Sequence, residues 1–370
     1  MGYQPEYIPL ELCTHVIFKA FSFPTFVARQ MLFNDKDKID FSRLLYSVRS
    51  RSNTVRVVAS IFGTARDFTA TSATIVRRKA FVLAVASLLL EIDADAIELN
   101  WKCPGSSNAG CGSGLDRSTM ITLLQDLRQA INSASNHIAG RPRELWFRGS
   151  LHPNALQEAY NIYDVCELVD HITLDPNTVA DLGGVHAPLQ RKPIVFPSVF
   201  GRPQEVINDM TGLQMNTQTW IDEGCPPKKL LFGVAIKGVR KTYMKQPSWF
   251  PGGKSHFGIA DDTTSMPYNE ACRRIRESGW RHEWDQYGAM PFTKRSTRDN
   301  REEEISYEDL NSLRYKMDMV QQKRLGGIYF DSVHSDDIYG WCGQPYALTA
   351  YLSSRVRSIP SDIGFAIEWN

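Results

Sequence analysis

Residues 95–102 read DAIELNWK, and this short stretch holds the most chemically suggestive pattern in the chain. A β-strand turns successive side chains to opposite faces, so Glu98, Asn100 and Lys102 share one face while Asp95, Ile97, Leu99 and Trp101 share the other. A packed barrel strand normally sends branched apolar groups inward. Three polar side chains on one face, ahead of the Pro104-Gly105 stop, therefore point to an active or formerly active centre at a strand end. The last of the three is a lysine. With an ordinary pKa of about 10.4 it is a poor acid at neutral pH, and deprotonation does not turn it into a carboxylate base.

Other chemistries are weaker. A lysine at a strand end suits a Schiff-base enzyme when desolvation or a neighbouring cation depresses its pKa. Glu98 and Asp331 would instead raise that of Lys102, and the GSGLDR run after Cys111 is too loose for a phosphate cradle. The eight histidines show no HxH or HExxH spacing; the HSDD run at 334–337 could ligate a cation, but it reads more simply as a polar loop after a strand. No metal or other cofactor is expected. Seven cysteines (13, 103, 111, 166, 225, 272 and 342) allow buried thiols or three bridges with one left over. Cys103 and Cys111 bracket PGSSNAG, a loop that a bridge could close, or they are two free thiols.

The elements that must position these residues follow from the hydrophobic pattern. Strand-like runs recur at 15–23, 55–63, 96–101, 144–151, 170–175, 229–238 and 326–333. Stretches with apolar residues three and four apart lie between them, such as RRKAFVLAVASLLLEI and STMITLLQDLRQAINSA. This alternation predicts parallel strands with crossover helices. At 370 residues and 42% apolar content the chain can bury one large α/β barrel or two ordinary domains. Residues 244–319 break the rhythm and read as an inserted α+β lobe, with KRSTRDNREEEI as a solvated hairpin or loop.

Forty-two basic and 41 acidic side chains leave a net charge of +1, so no global field draws the chain to nucleic acid. The longest apolar candidate for a membrane span is broken by Glu91, Asp93 and Asp95. The start, MGYQPEYIPLELC, has no basic segment followed by an apolar one, so no signal peptide is visible in this chain.

With these motifs in hand, the chain resembles glycoside hydrolase family 18, the chitinases and chitinase-like proteins. The family's fourth-strand signature is DGxDxDWE followed by an aromatic residue, Pro and Gly. DAIELNWKCPG keeps Asp95, Trp101, Pro104 and Gly105, but has Glu98 and Asn100 at the second and third Asp positions and Lys102 at the catalytic Glu. LCTHVIFKAF is similar to the family's second strand, KLLFGVAIKGVRKT to its seventh, MPYNEAC to a lobe segment, and residues 305–352 to the last helix, strand and closing loop. The resemblance implies a TIM (β/α)8-type barrel lacking its first strand, formed by residues 1–243 and 320–370, with an α+β lobe at 244–319 before the last strand. It also implies an incomplete N-terminus that carries the missing strand, a signal peptide and a cysteine partner for Cys13. Cys272 and Cys342 match a family bridge, so a secreted, extracellular, disulfide-bearing protein is expected.

Family chitinases use substrate assistance: a Glu protonates the leaving oxygen while the sugar's acetamido oxygen attacks, oriented by an Asp. Neither role can be filled by Lys102 or Asn100. Losing the general acid alone costs roughly 10² to 10⁴ in rate. Asp175, Asn177 and Thr178 stand in the sixth-strand motif, Lys237 and Val239 replace the seventh-strand Tyr and Arg, and Asp331 replaces the eighth-strand Trp platform. An ion-pair network across the barrel mouth, including Lys102, is expected, with a lapsed pocket of merely solvated charges as the plainer reading. The implied protein is a monomeric pseudoenzyme without family-type hydrolysis, acting through a protein partner. A lectin that binds chitin oligosaccharides through Trp249, Trp284 or Trp341 is the alternative, although isolated tryptophans are more often packing residues.

Overall fold

The computed structural model describes residues 3–105, 112–134, 142–179, 184–191, 212–244, 260, 262–358 and 364–369, with the backbone of 194–196 and 204–206. Eight parallel strands close a barrel: β1 His15–Ser22, β2 Arg56–Gly63, β3 Ala96–Trp101, β4 Glu144–Ser150, β5 His171–Asp175, β6 Leu230–Ala235, β7 Gly327–Asp331 and β8 Gly364–Trp369. The ring follows chain order, and β8 lies between β7 and β1.

The eighth strand corrects the expectation of a barrel without its first strand. Ala366 pairs with His15 on one side and with Tyr329 on the other, so the slot between β7 and β1 is filled by GFAIEW and no sheet edge stands open there. The segment escaped the sequence reading because it is short and because Glu368 interrupts its apolar run. In place, Phe365, Ile367 and Trp369 join the outer core while Ala366 and Glu368 face the barrel interior. β8 carries no cysteine, and Cys13 is a buried free thiol.

Helices cover the barrel because each sends one apolar stripe onto the outward faces of the strands. Asp35–Arg49 starts at Asn34, whose side chain accepts from the Lys36 amide, and buries Phe41, Leu44 and Val48. Ile75–Ile92 starts at Thr74 and stops at Asp93, which adopts a left-handed conformation with φ 55°. Trp101 stacks on Phe68 with ring centroids 4.9 Å apart, which makes it a core residue between β3 and the helix Ala65–Ser72.

The lobe is a five-stranded antiparallel sheet, in the order Asp262–Pro267, Lys237–Met244, Arg301–Ser306, Met290–Ser296 and Arg281–Asp285. Its sheet begins at Lys237, ahead of the expected boundary at 244, because the chain leaves the barrel after Ala235. The charged run forms the hairpin of Met290–Ser296 with Arg301–Ser306, where Arg295 and Glu303 pair across the strands at 2.6 Å. A disulfide from Cys272, in the helix Tyr268–Arg274, to Cys342 ties the lobe to the loop after β7; Cys166–Cys225 is a second bridge, and Cys103 is also disulfide-bonded.

Candidate functional site

The interior of the barrel is built in layers, because every strand sends alternate side chains inward. Ile17, Val58, Ala96, Trp146, Leu231, Tyr329 and Ala366 form an apolar plug. Two residues further along the same strands stand Lys19, Ser60, Glu98, Arg148, Gly233, Asp331 and Glu368. This next layer is almost wholly polar. The step of two is the pleat itself, so one apolar floor fixes the height of seven groups above it.

Glu98 and Glu368 are fully buried, and the Arg148 guanidinium lies 2.9 Å from a carboxylate oxygen of each. Arg148 also donates to the Tyr329 hydroxyl at 2.7 Å, and its guanidinium carbon lies 4.6 Å from the centre of that ring. The Tyr329 hydroxyl donates to Glu368. Ser60 and Thr173 both donate to Glu98. Lys19 carries the network outward, 2.7 Å from Glu368 and 3.7 Å from Asp331. Buried charges persist only when paired and hydrogen-bonded, and these groups meet that condition through one another.

Above this layer the mouth is closed by shorter links. The Asn177 amide nitrogen donates to Asp331 at 2.5 Å and to Asp175 at 3.0 Å, while its oxygen accepts from Lys237 at 2.5 Å. Asn177 sits in the turn Pro176–Thr178, which folds back over β6 because Gly233 leaves room: a Cβ there would lie 2.0 Å from the Leu174 carbonyl oxygen. Burial works to raise the Asp331 pKa, but Lys19, Arg148, the Asn177 amide and Lys237 outweigh it and hold the carboxyl below its ordinary value. Burial likewise opposes the charge on Lys19, and Glu368 and Asp331 outweigh it to raise the ammonium pKa. For Lys237 burial prevails over Asp331 and Asp175, and the pKa falls.

The expected site residues therefore separate. Glu98, Asp175, Asn177, Lys237 and Asp331 come together, and Asn100 is buried one pleat above Glu98. Lys102 does not join them. Its side chain is exposed, and among the described residues its ammonium takes part in no ion pair or hydrogen bond, which corrects the expectation that it anchors the network. Nor does it sit in the desolvated pocket that an amine nucleophile requires. Asp95 lies before the start of β3, where it accepts from the Val57 amide at 2.8 Å and lies 3.7 Å from Arg49, so it is structural. Thr178 accepts from the Leu151 amide, and Val239 is buried in the lobe sheet.

Of the three tryptophans, Trp284 packs beside Tyr315 with centroids 6.0 Å apart, and Trp249 lies outside the described residues. Trp341 is exposed at 51%, 4.8 Å from Tyr339 and 5.0 Å from the Arg273 guanidinium, over a surface cleft of 690 Å³ shared with Glu270 and Arg274. Sequence reasoning missed Lys19, Arg148, Tyr329 and Glu368. The available signal was alternation: in HVIFKAF, ELWFRGSL and GFAIEW the charged residue falls two places after an inward apolar one. Among the described residues no three His, Cys, Asp or Glu side chains are grouped as metal ligands, and no helix is long and apolar enough to cross a membrane.

Comparison with known proteins agrees with this architecture. The sequence profile of "Glycosyl hydrolases family 18" matches residues 2–336, which leaves β8 beyond the match. An "Endochitinase" of Manduca sexta is 27% identical over 96% of this chain and 64% of its own length. An "Oviduct-specific glycoprotein" of Ovis aries is 26% identical over 93% of this chain and 61% of its own length. The chain thus spans less than two-thirds of these relatives. Among solved structures, the Group IV chitinase of Ostrinia furnacalis superposes with a TM-score of 0.77 at 20% identity, over 96% of this chain and 95% of that one. Human YKL-39, described as a pseudo-chitinase with retained chitooligosaccharide binding properties, superposes with a TM-score of 0.76 at 17% identity, over 96% and 94% of the two chains. The barrel, its inserted lobe and the match across residues 2–336 make the chain a member of glycosyl hydrolases family 18.

Proposed function

We propose that this chain is a catalytically inactive, chitinase-like binding or effector protein that works outside the cell. The observation that carries this reading is the fate of the position where the resemblance calls for the acid. Lys102 stands there, exposed, and the carboxylate two residues before Asn100 is Glu98, fully buried and engaged by Arg148, Ser60 and Thr173. A general acid must reach the proton acceptor it serves, and Glu98 is committed to groups below the mouth. Asp331 and Lys237, at the positions of the sugar platform and its Tyr neighbour, are tied together through Asn177, so a sugar ring would have to break those bonds without gaining an aromatic face. Work outside the cell is supported by the cross-links Cys166–Cys225 and Cys272–Cys342 and by the bridged Cys103.

Exposed Trp341 beside Tyr339 favours a second reading, a lectin that binds chito-oligosaccharides away from the barrel axis. Calorimetric titration with N-acetylchitohexaose separates the two. The first reading expects no saturable heat and directs the search to a protein partner. Saturable heat lost in Trp341→Ala would establish the lectin instead.

A further inference from the structure

The cleft beside Trp341 has walls from two distant parts of the chain: the helix Tyr268–Arg274 with the turn after it, and the loop that follows β7. The Cys272–Cys342 disulfide joins them, and Arg276 donates to the Trp341 carbonyl at 3.1 Å and to the Cys342 carbonyl at 2.6 Å. Within the loop, buried Asp337 accepts from the amides of Trp341 at 2.9 Å and Cys342 at 2.6 Å. The Trp341 backbone is therefore held at both its N–H and its C=O. Its exposed indole stands on a fixed support, so a ligand does not have to order it.

The acidic groups of the cleft are already engaged: Glu270 pairs with Arg274 at 2.9 Å, and Glu277 lies 3.6 Å from Arg295. Arg273 differs. Among the described residues its exposed guanidinium takes part in no ion pair or hydrogen bond, and it rests 5.0 Å from the centre of the Trp341 ring. That contact restrains the guanidinium without using its N–H donors, and their fork matches the two oxygens of a carboxylate. Around it the lining is polar except for Trp341, whose ring is continued by that of Tyr339, 62% exposed. An apolar ligand would strand the polar rim, and a neutral sugar would leave Arg273 without a partner. We propose that this cleft binds a carboxylated saccharide: the carboxylate of a hexuronic acid residue is taken by Arg273, its C–H face lies on the Trp341–Tyr339 pair, and Asn269 meets a ring hydroxyl. The inference rests on the reading of the chain as a binding protein, and it makes acidic rather than neutral sugars the ligands of Trp341.

Calorimetric titration of the full chain tests it, with trigalacturonic acid, D-glucuronic acid and N-acetylchitohexaose as probes. The expected result is saturable heat with trigalacturonic acid, weakening as salt is raised from about 0.01 M to 0.15 M. Arg273→Gln weakens that binding at least about tenfold, and Arg273→Lys, which keeps the charge but not the fork, falls between. Trp341→Ala abolishes it. Both positions are exposed, so each variant keeps the circular dichroism spectrum of the wild type. Saturation by glucuronic acid as well assigns the site to a single acidic residue, and heat with the trimer alone assigns it to a chain of them. No heat with either acidic sugar at millimolar concentration, an Arg273→Gln chain that binds as the wild type does, or N-acetylchitohexaose bound as tightly as the acidic trimer overturns the proposal. None of these outcomes involves hydrolysis of N-acetylchitohexaose, which tests the loss of catalysis separately.

Discussion

Replacing Arg148 by Met removes a cation from the centre of the barrel and leaves two carboxylates behind. Arg148 is 3% exposed at its side chain, Glu98 and Glu368 are both at 0%, and each carboxylate lies 2.9 Å from the guanidinium. With charge centres about 4 Å apart and an effective dielectric near 20, each attraction is worth about 4 kcal/mol. The cost of desolvating the guanidinium offsets part of that gain in the wild type. Lys19 still serves Glu368 in the variant, and Ser60 and Thr173 still serve Glu98. The net loss on breaking a buried pair from one side is about 3–5 kcal/mol. Equilibrium unfolding in urea at pH 7, followed by tryptophan fluorescence, reads this directly because Trp146 lies in the layer below. The sign with pH is also fixed. Burial already raises the Glu368 pKa in the wild type against the pull of Arg148 and Lys19, and removing the Arg148 cation raises it further. The variant is then relatively most stable in acid, and its deficit narrows as the pH falls through about 5 to 4. Triple replacement with Glu98→Gln and Glu368→Gln recovers part of the loss, since no buried charge is stranded. A deficit under about 1 kcal/mol at pH 7, or one that does not vary with pH, would refute the charged network.

Three further outcomes follow from the same geometry. Asp331→Asn lowers stability by about 1–3 kcal/mol at neutral pH, the worth of hydrogen bonds to a charged group. Because the Asp331 pKa lies below its ordinary 3.8, that contribution is present above this value and is lost as the pH falls through the folded pKa, so wild type and variant converge in strong acid. Cys13, a buried free thiol whose pKa burial pushes up, stays unlabelled by a disulfide reagent in the native protein and reacts once urea unfolds it, as peptide mapping will register. Cys272→Ala with Cys342→Ala opens a link across 70 residues and costs about 2–4 kcal/mol in urea unfolding, with the lobe loosening before the barrel.

The barrel was legible in the sequence because seven of its strands are long apolar runs with helical stretches between them. β8 was not, since a six-residue segment with Glu368 as its penultimate residue resembles a polar tail until Tyr329 and His15 are seen on either side of it. At the mouth, Asp175, Lys237 and Asp331 were found because they replace residues that the family resemblance leads one to expect. Arg148 lies outside the matched motifs and Lys19 lies within the second-strand match LCTHVIFKAF without being singled out, and only the registration of strands places them beside Glu98 and Glu368. Lys102 was misplaced for the opposite reason. Alternation assigns it to the inward face, but β3 ends at Trp101 and the side chain beyond it turns into solvent.

We propose that in this family 18 barrel a buried ion-pair network stands in place of hydrolytic chemistry. Incubating the purified chain with N-acetylchitohexaose from pH 3 to pH 9 and resolving the products by mass spectrometry tests it most directly. An unchanged hexamer is expected at every pH, in the wild type and in Lys102→Glu, because Asn100 and the occupied mouth remain. Shorter oligomers released by the wild-type chain above a heat-denatured control would contradict it.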